Sequence, residues 1–313
     1  MALKATLDSY LQRYWHSLPG NFRGCFWMLL AAFSFIVVQS FTKALGGRIP
    51  SAEIAFFRAA IGSAAVLPFV MSRGLCAFKT PNLPFHLGRG LFGAAAIFLM
   101  VYAVVHMPIA EATVIGFTRM MFLIVLAVLF LGERAHWRRW LATLAGFGGV
   151  LLMLRPGDET FQLAALSALG AAFCFAAAHT CIKKCTQRKD HPMTVQTWYA
   201  VSATLIMVIP AGMVWVSPSW EDWLILLGMG LMSGVAQTCT AYAYGAGDAT
   251  FVAPFDYTRL LWAALAGWFL FAEPLGFMTL AGAAVIIGAN VYIAQRQRAE
   301  SRAAKKAETA ERD

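Results

Sequence analysis

The sequence predicts an all-α membrane protein of ten transmembrane helices, arranged as two inverted five-helix repeats. Three observations carry this expectation. The 313-residue chain is 59% hydrophobic and only 13% charged, with a mean hydropathy of +0.64. Soluble domains carry about 25% charged residues, so a bilayer is the solvent that suits this surface. Ten apolar runs approach the length, roughly 20 residues, that crosses a hydrocarbon core. Finally, the chain echoes itself at an offset near 140 residues.

The runs lie near 24–45, 53–72, 88–106, 111–131, 138–155, 162–184, 194–216, 223–244, 249–271 and 276–295. Helix breakers punctuate them: Pro50, Pro81 with Pro84, Pro108, Pro156 with Gly157, Pro192, Pro218, Gly245 with Gly247, and Pro274. Proline cannot continue a helix from its interior, and glycine favours helix ends. The third and fourth runs have almost no loop between them, nor do the eighth and ninth. Each such pair predicts a tight antiparallel hairpin. In the N-terminal segment, residues 1–23, Leu7, Leu11, Tyr14 and Leu18 share one helical face, the pattern of a segment lying on the membrane surface. It lacks the early apolar core of a secretory signal. Residues 296–313 form a charged tail.

The net charge of +9 would suggest nucleic acid in a soluble protein. Here the basic residues sit in short loops between apolar runs, where they set orientation instead, and no nucleic-acid partner is expected. With the N-terminus in the cytoplasm, the outer loops hold only Lys43, Arg48 and Arg155. The tails and the remaining loops hold the other basic residues outside the helices. Both termini are therefore expected on the cytoplasmic face of the plasma (inner) membrane.

The internal echo is extensive. "AAFSF" (31–35) recurs as "AAFCF" (171–175), Pro50 and Pro68 as Pro192 and Pro210, "EAT" (111–113) as "DAT" (248–250), and "LAG" (144–146) as "LAG" (280–282). The repeats are read as 24–155 and 162–295. Five spans per copy is an odd number, so the second copy enters the membrane upside down. In such inverted repeats a binding site lies near the midplane, at the repeat interface.

The sharpest echo is "FTR" at 117–119 against "YTR" at 257–259. It places Arg119 and Arg259 near the centres of their runs. An arginine at that depth costs about 2.5–3.5 kcal/mol on insertion scales, which marks it as functional by default. Asp256 stands three residues before Arg259, where the two can pair on one helical face. Asp256 is also a candidate proton-coupling group. Gln39 and His179 occupy equivalent places in the first and sixth runs. Tyr102, Gln237, Tyr244 and Trp262 complete a polar and aromatic set suited to stacking and cation–π contact. Arg58 lies one turn inside the second run, close enough to the outer surface to snorkel.

"FFRAAIGSAAVLP" (56–68), "EATVIGFTR" (111–119), "LGER" (131–134) and "DATFVAPFDYTR" (248–259) resemble the drug/metabolite transporter superfamily in its EamA branch. The resemblance covers residues 24 to 295. It implies a secondary transporter for a small polar or zwitterionic organic metabolite, with amino acids, S-adenosylmethionine and riboflavin as candidates and a proton as a candidate coupling ion. Ala200 stands where Arg58 stands in the first copy, a departure from symmetry.

The six cysteines show no CxxC and no Cys/His ligand spacing, so neither a disulfide, a metal nor a cofactor is expected. There is no GxSxG, HExxH or Walker A motif. Two rival classes were weighed. A membrane-embedded lipid-modifying enzyme should show an acid/base cluster at one membrane surface. A non-transporting sensor should carry a folded soluble domain. The sequence offers neither.

Overall fold

The computed structural model describes residues 19–66, 70–72, 74, 78–131, 137–153, 159–188, 190, 192–246, 252–274 and 276–310. The surface segment expected within 1–23 falls outside them except for its last residues. Among the described residues there are eleven α-helices and no strand. They are α1 (Gly20–Leu45), α2 (Ser51–Gly62), α3 (Leu83–His106), α4 (Ile109–Gly116), α5 (Arg119–Leu131), α6 (Trp137–Met153), α7 (Glu159–Gln187), α8 (Pro192–Met213), α9 (Trp220–Ala246), α10 (Thr258–Phe271) and α11 (Phe277–Ala310). Two 3₁₀ turns accompany them, Ser63–Val66 after α2 and Ala253–Tyr257 before α10.

Prolines start helices as expected. Pro19, Pro50 and Pro108 sit in extended conformation just before α1, α2 and α4, and Pro84 lies in the first turn of α3. Pro210, by contrast, lies inside α8. Ala272 terminates α10 in the left-handed region at φ 52°, and the next N–H, that of Glu273, bonds back to the Gly267 carbonyl.

Among the described residues, six segments are long and apolar enough to cross a membrane: α1, α3, the α4–α5 unit (Ile109–Phe130), and the apolar stretches of α7, α8 and α9. Shorter apolar stretches lie in α6 and α11. The chain is thus an all-helical membrane protein. Two expected boundaries change. The fourth run is not one helix, because it breaks at Phe117–Thr118. The last run does not stop near 295, and its helix continues through the charged tail to Ala310.

Neighbour choice explains the core. α1 packs along α9, α3 along α7, and α6 along α11, while α2 meets α8 and α4 meets α10. Alanines on α7 (Ala164, Ala168, Ala171) let it approach Ile109, Ile115 and Met121 closely, and Ile286 of α11 closes that cluster. Small residues serve this purpose in membranes, where lipid offers no hydrophobic drive between helices. On α9, a Cβ at Gly230 would run into Ile61, so glycine is what lets α9 reach this residue of α2. Leu129, Phe130, Leu205, Ile209 and Phe269 point outward and exposed. Such a skin would aggregate in water, whereas a bilayer solvates it.

Candidate functional site

A break between α4 and α5 and the 3₁₀ turn that leads into α10 build the site, and a Thr-Arg pair stands at each. α4 ends at Gly116, two residues turn, and α5 begins at Arg119. The 3₁₀ turn Ala253–Tyr257 ends just before α10, whose second residue is Arg259. In each case the threonine hydroxyl donates to the carbonyl three residues back. Thr118 bonds Ile115 and Thr258 bonds Phe255, both at 2.6 Å. These bonds satisfy carbonyls that an uninterrupted ladder would have used. Buried Asn290 of α11 donates to the Phe117 carbonyl at 3.1 Å. Irregular backbone at membrane depth survives only when its polar groups are satisfied in this way.

Because α10 packs on α4, the two breaks meet, and the Phe117 and Tyr257 rings touch edge to face at 5.0 Å. Two half-helix N-termini therefore start beside one another. Each carries the positive end of a helix dipole, and each has an arginine in its first turn. A helix N-terminus and a guanidinium both favour negative charge nearby.

Asp256 holds the arginines together. Its Oδ2 accepts from Arg119 at 3.0 Å, and its Oδ1 lies 2.6 Å from Arg259 Nε. The first contact is an aligned hydrogen bond. The second is a close ion pair without hydrogen-bond alignment. Arg259 also lies over the Phe35 ring, 4.0 Å from its centroid. One carboxylate thus serves two guanidiniums, leaving a net positive charge. Arg119 keeps about a quarter of its side chain accessible (27%), against 12% for Asp256 and for Arg259. Arg119 is accordingly the member of the triad with most room to meet a ligand.

The other expected residues divide. Tyr244 is exposed and within Coulombic range of Asp256, Arg119 and Arg259. His179 is exposed in the middle of α7, donates from Nδ1 to the Phe175 carbonyl at 2.7 Å, and feels the charges of Arg119 and Arg89. Exposure combined with those neighbours puts it on the inner space rather than on lipid. Trp262, one turn past Arg259, packs edge to face on Phe33 at 5.3 Å, and its indole Nε1 is buried without a hydrogen-bond partner. Gln39 bonds Thr113 at 3.0 Å, just before the first break. Tyr102 stacks on His106 at 4.2 Å and does not join the arginines. Gln237 is exposed on α9, and no contact among the described residues ties it to the cluster.

Three residues were missed or misread. Asn290 was legible as a polar residue inside an apolar run. Arg58 does not simply snorkel outward: it is half-buried and lies within Coulombic range of Tyr199 and Arg259. Arg89, at the start of the third run, is buried in α3, bonds Gln196 at 2.9 Å and stacks 4.6 Å from the Tyr199 ring centroid. Arg58 and Arg89 therefore add positive charge inside the bundle beyond that of Arg119 and Arg259.

One end of the bundle is laced shut. Lys43 pairs with Glu273 and donates to the Met107 carbonyl at 2.8 Å, while Glu273 accepts the Ile109 N–H at 2.9 Å. Nearby, Glu53 accepts the Val216 N–H at 3.0 Å, and Arg48 pairs with Asp222 at 2.9 Å.

Broken helices that meet around a charged centre are a feature of secondary transporters. The EamA-like transporter family model matches this chain twice, over residues 22–155 and 162–294, and the chain belongs to that family. It is 32% identical to a riboflavin transporter of Vibrio cholerae over 90% of this chain and 95% of that protein. It is 33% identical to an S-adenosylmethionine uptake transporter of Rickettsia felis, over 86% of this chain and 92% of the relative. A solved crystal structure shares the fold with a TM-score of 0.57 at 19% identity, over 86% of this chain and 98% of its own. The protein is a small-metabolite transporter.

Proposed function

We propose that the protein is a secondary transporter of the inner membrane that moves a small polar or zwitterionic organic metabolite by alternating access, driven by a proton or substrate gradient. The observation that carries this reading is the duplicated Thr-Arg break, whose two arginines converge on Asp256. Arg119 and Arg259 hold the anionic part of the substrate. Asp256, Gln39 and His179 take cationic or polar parts, and Tyr244 and Trp262 flank its body. Amino acids, S-adenosylmethionine and riboflavin fit this description, and the last two are what the named relatives carry. The surplus of arginines favours a substrate with a carboxylate or another anionic group.

In this reading the ten spans form inverted repeats at 24–155 and 162–295, with both termini cytoplasmic. The helix pairings support it. If α1 corresponds to α7 and α3 to α9, the α1–α9 contact is the repeat of α3–α7. The α2–α8, α6–α11 and α4–α10 contacts then join each helix to its own counterpart. The laced end with Lys43 and Glu273 is the outer one, and transport requires it to open as the opposite end closes.

The test is uptake into proteoliposomes against amino acids, riboflavin, S-adenosylmethionine and nucleotides. Saturable uptake of one class, lost in Arg119→Ala, supports the reading. Absence of uptake or exchange across the panel in both vesicle orientations counts against it.

A further inference from the structure

At the end of the bundle opposite Lys43, α3 begins and α7 ends, and three side chains of metal-ligating type converge. They are His86 in the first turn of α3, Cys185 in the last turn of α7, and Asp190 just beyond it. One ligand atom from each lies within 4.8 Å of the others. His86 and Cys185 are fully buried, and 6% of the Asp190 side chain is accessible. Asp190 Oδ2 is 3.0 Å from His86 Nε2 and accepts from Asn82 Nδ2 and the Thr80 hydroxyl, both at 3.0 Å. Independently of that network, His86 Nδ1 is buried and has no hydrogen-bond partner among the described residues. The Cys185 thiol is free.

We propose that His86, Cys185 and Asp190 form a binding site for a divalent cation of the zinc class. A nitrogen, a sulfur and an oxygen donor form a three-ligand set that suits Zn²⁺ and leaves a fourth position for water. Magnesium and calcium require oxygen shells and do not fit it. A tetrahedral ion needs its ligand atoms about 3.5 Å apart, so His86 Nε2 and Asp190 Oδ2, now 3.0 Å apart, open by about 0.5 Å around the metal. The Cys185 thiol gives its proton to solvent on binding. The thiolate and the Asp190 carboxylate then balance the ion, with His86 neutral. Asn82 and Thr80 orient Asp190 as outer-shell partners do. Sequence spacing hid the set, because His86 stands about a hundred residues before the other two ligands.

The metal would bridge α3 to the α7 end, joining elements from opposite halves of the chain, and would hold this end closed. Cobalt reads the site directly, because a Co²⁺–thiolate bond gives a charge-transfer absorption band. The full-length protein, stripped of metal in detergent, is titrated with Co²⁺ and then with Zn²⁺. The expected result is a one-equivalent thiolate band that Zn²⁺ displaces, with a rise in melting temperature. Cys185→Ser abolishes both, Asn82→Ala weakens affinity roughly 10–100-fold, and Cys181→Ser, one turn away on α7, leaves both intact. Absence of a band in the wild type, or a band that survives Cys185→Ser, overturns the proposal. Should Cys185→Ser fail to fold, His86→Gln serves instead, and a band of undiminished affinity in that variant is equally fatal. No substrate is needed, so failure here leaves the transport reading untouched. Metal that binds as expected should also slow uptake, and only in proteins that retain Cys185.

Discussion

Removing Arg119 and removing Asp256 should differ in their effect on stability, and the geometry says why. Asp256 has an arginine on each oxygen. In Arg119→Ala it keeps Arg259, so no charge is stranded. The loss is one charge-assisted hydrogen bond, worth about 1.5–3 kcal/mol. Insertion becomes easier by about 2.5–3.5 kcal/mol without the deep guanidinium. The two terms nearly cancel, so the protein should fold with a melting temperature close to wild type while uptake is abolished. In Asp256→Asn two guanidiniums face each other without their carboxylate. Breaking a buried pair in this way costs about 3–5 kcal/mol, so stability and uptake should fall together. Lysine at 119 should rescue poorly, because a point charge cannot reproduce two-pronged binding. The assays are thermal melting in detergent and uptake into proteoliposomes. Normal uptake by Arg119→Ala would remove this residue from the site. A collapse of its melting temperature in step with uptake would make Arg119 a structural partner of Asp256 and nothing more.

Asn290→Leu should strand the Phe117 carbonyl at the first break and cost about 1–3 kcal/mol, read as a lowered melting temperature with uptake reduced in proportion to the folded fraction. Asp190 should give an acid-sensitive clasp. Burial pushes its carboxyl up, but hydrogen bonds from Asn82, His86 and Thr80 outweigh burial and hold it below the ordinary value of 3.8. Its contribution is therefore present above that value and lost as pH falls through the lower folded one. Asp190→Asn should melt below wild type at neutral pH, and the gap should narrow in acid; a gap independent of pH would refute the linkage. Single cysteines placed at Ser219 and Arg188 should react with impermeant thiol reagents from the outside and the inside respectively, and the reverse pattern would invert the proposed topology.

The membrane class, the positions of most helices and the arginine pair were legible because each follows from local chemistry. A run of apolar residues must meet lipid, proline must start or stop a helix, and a guanidinium at the midplane must find company. What was not legible depended on contacts far apart in the chain. Nothing in "EATVIGFTRMMF" requires a break at Phe117, since Ile, Phe and Thr all tolerate a helix interior. The break exists because Thr118 and Asn290, 172 residues apart, satisfy the backbone it opens. Arg119 has no acid one turn away on its own helix, so its partner could not be named from spacing. Arg58 and Arg89 sit near run ends, where composition gives the outward, solvated reading. Only the packing of α2 and α3 against Tyr199 on α8 turns them inward.

The two breaks share one backbone device and differ in what surrounds it, and that difference bears on function. Thr118 and Thr258 make the same bond at the same length, so the duplicated sequence specifies the backbone twice. The furnishing is not duplicated. An acid precedes the second arginine only, Asn290 supports the first break, and Arg58 has Ala200 where symmetry would place its counterpart. A site made of two identical arginine half-sites would repel itself. With a single aspartate between them, the arginines are held about one carboxylate apart while one positive charge remains uncompensated. An incoming anion can then share Arg119 with Asp256 without first breaking the Arg259 pair. In the proposed reading, the repeated scaffold would supply two faces that alternate, and the asymmetric side chains would give the substrate one preferred way to lie between them.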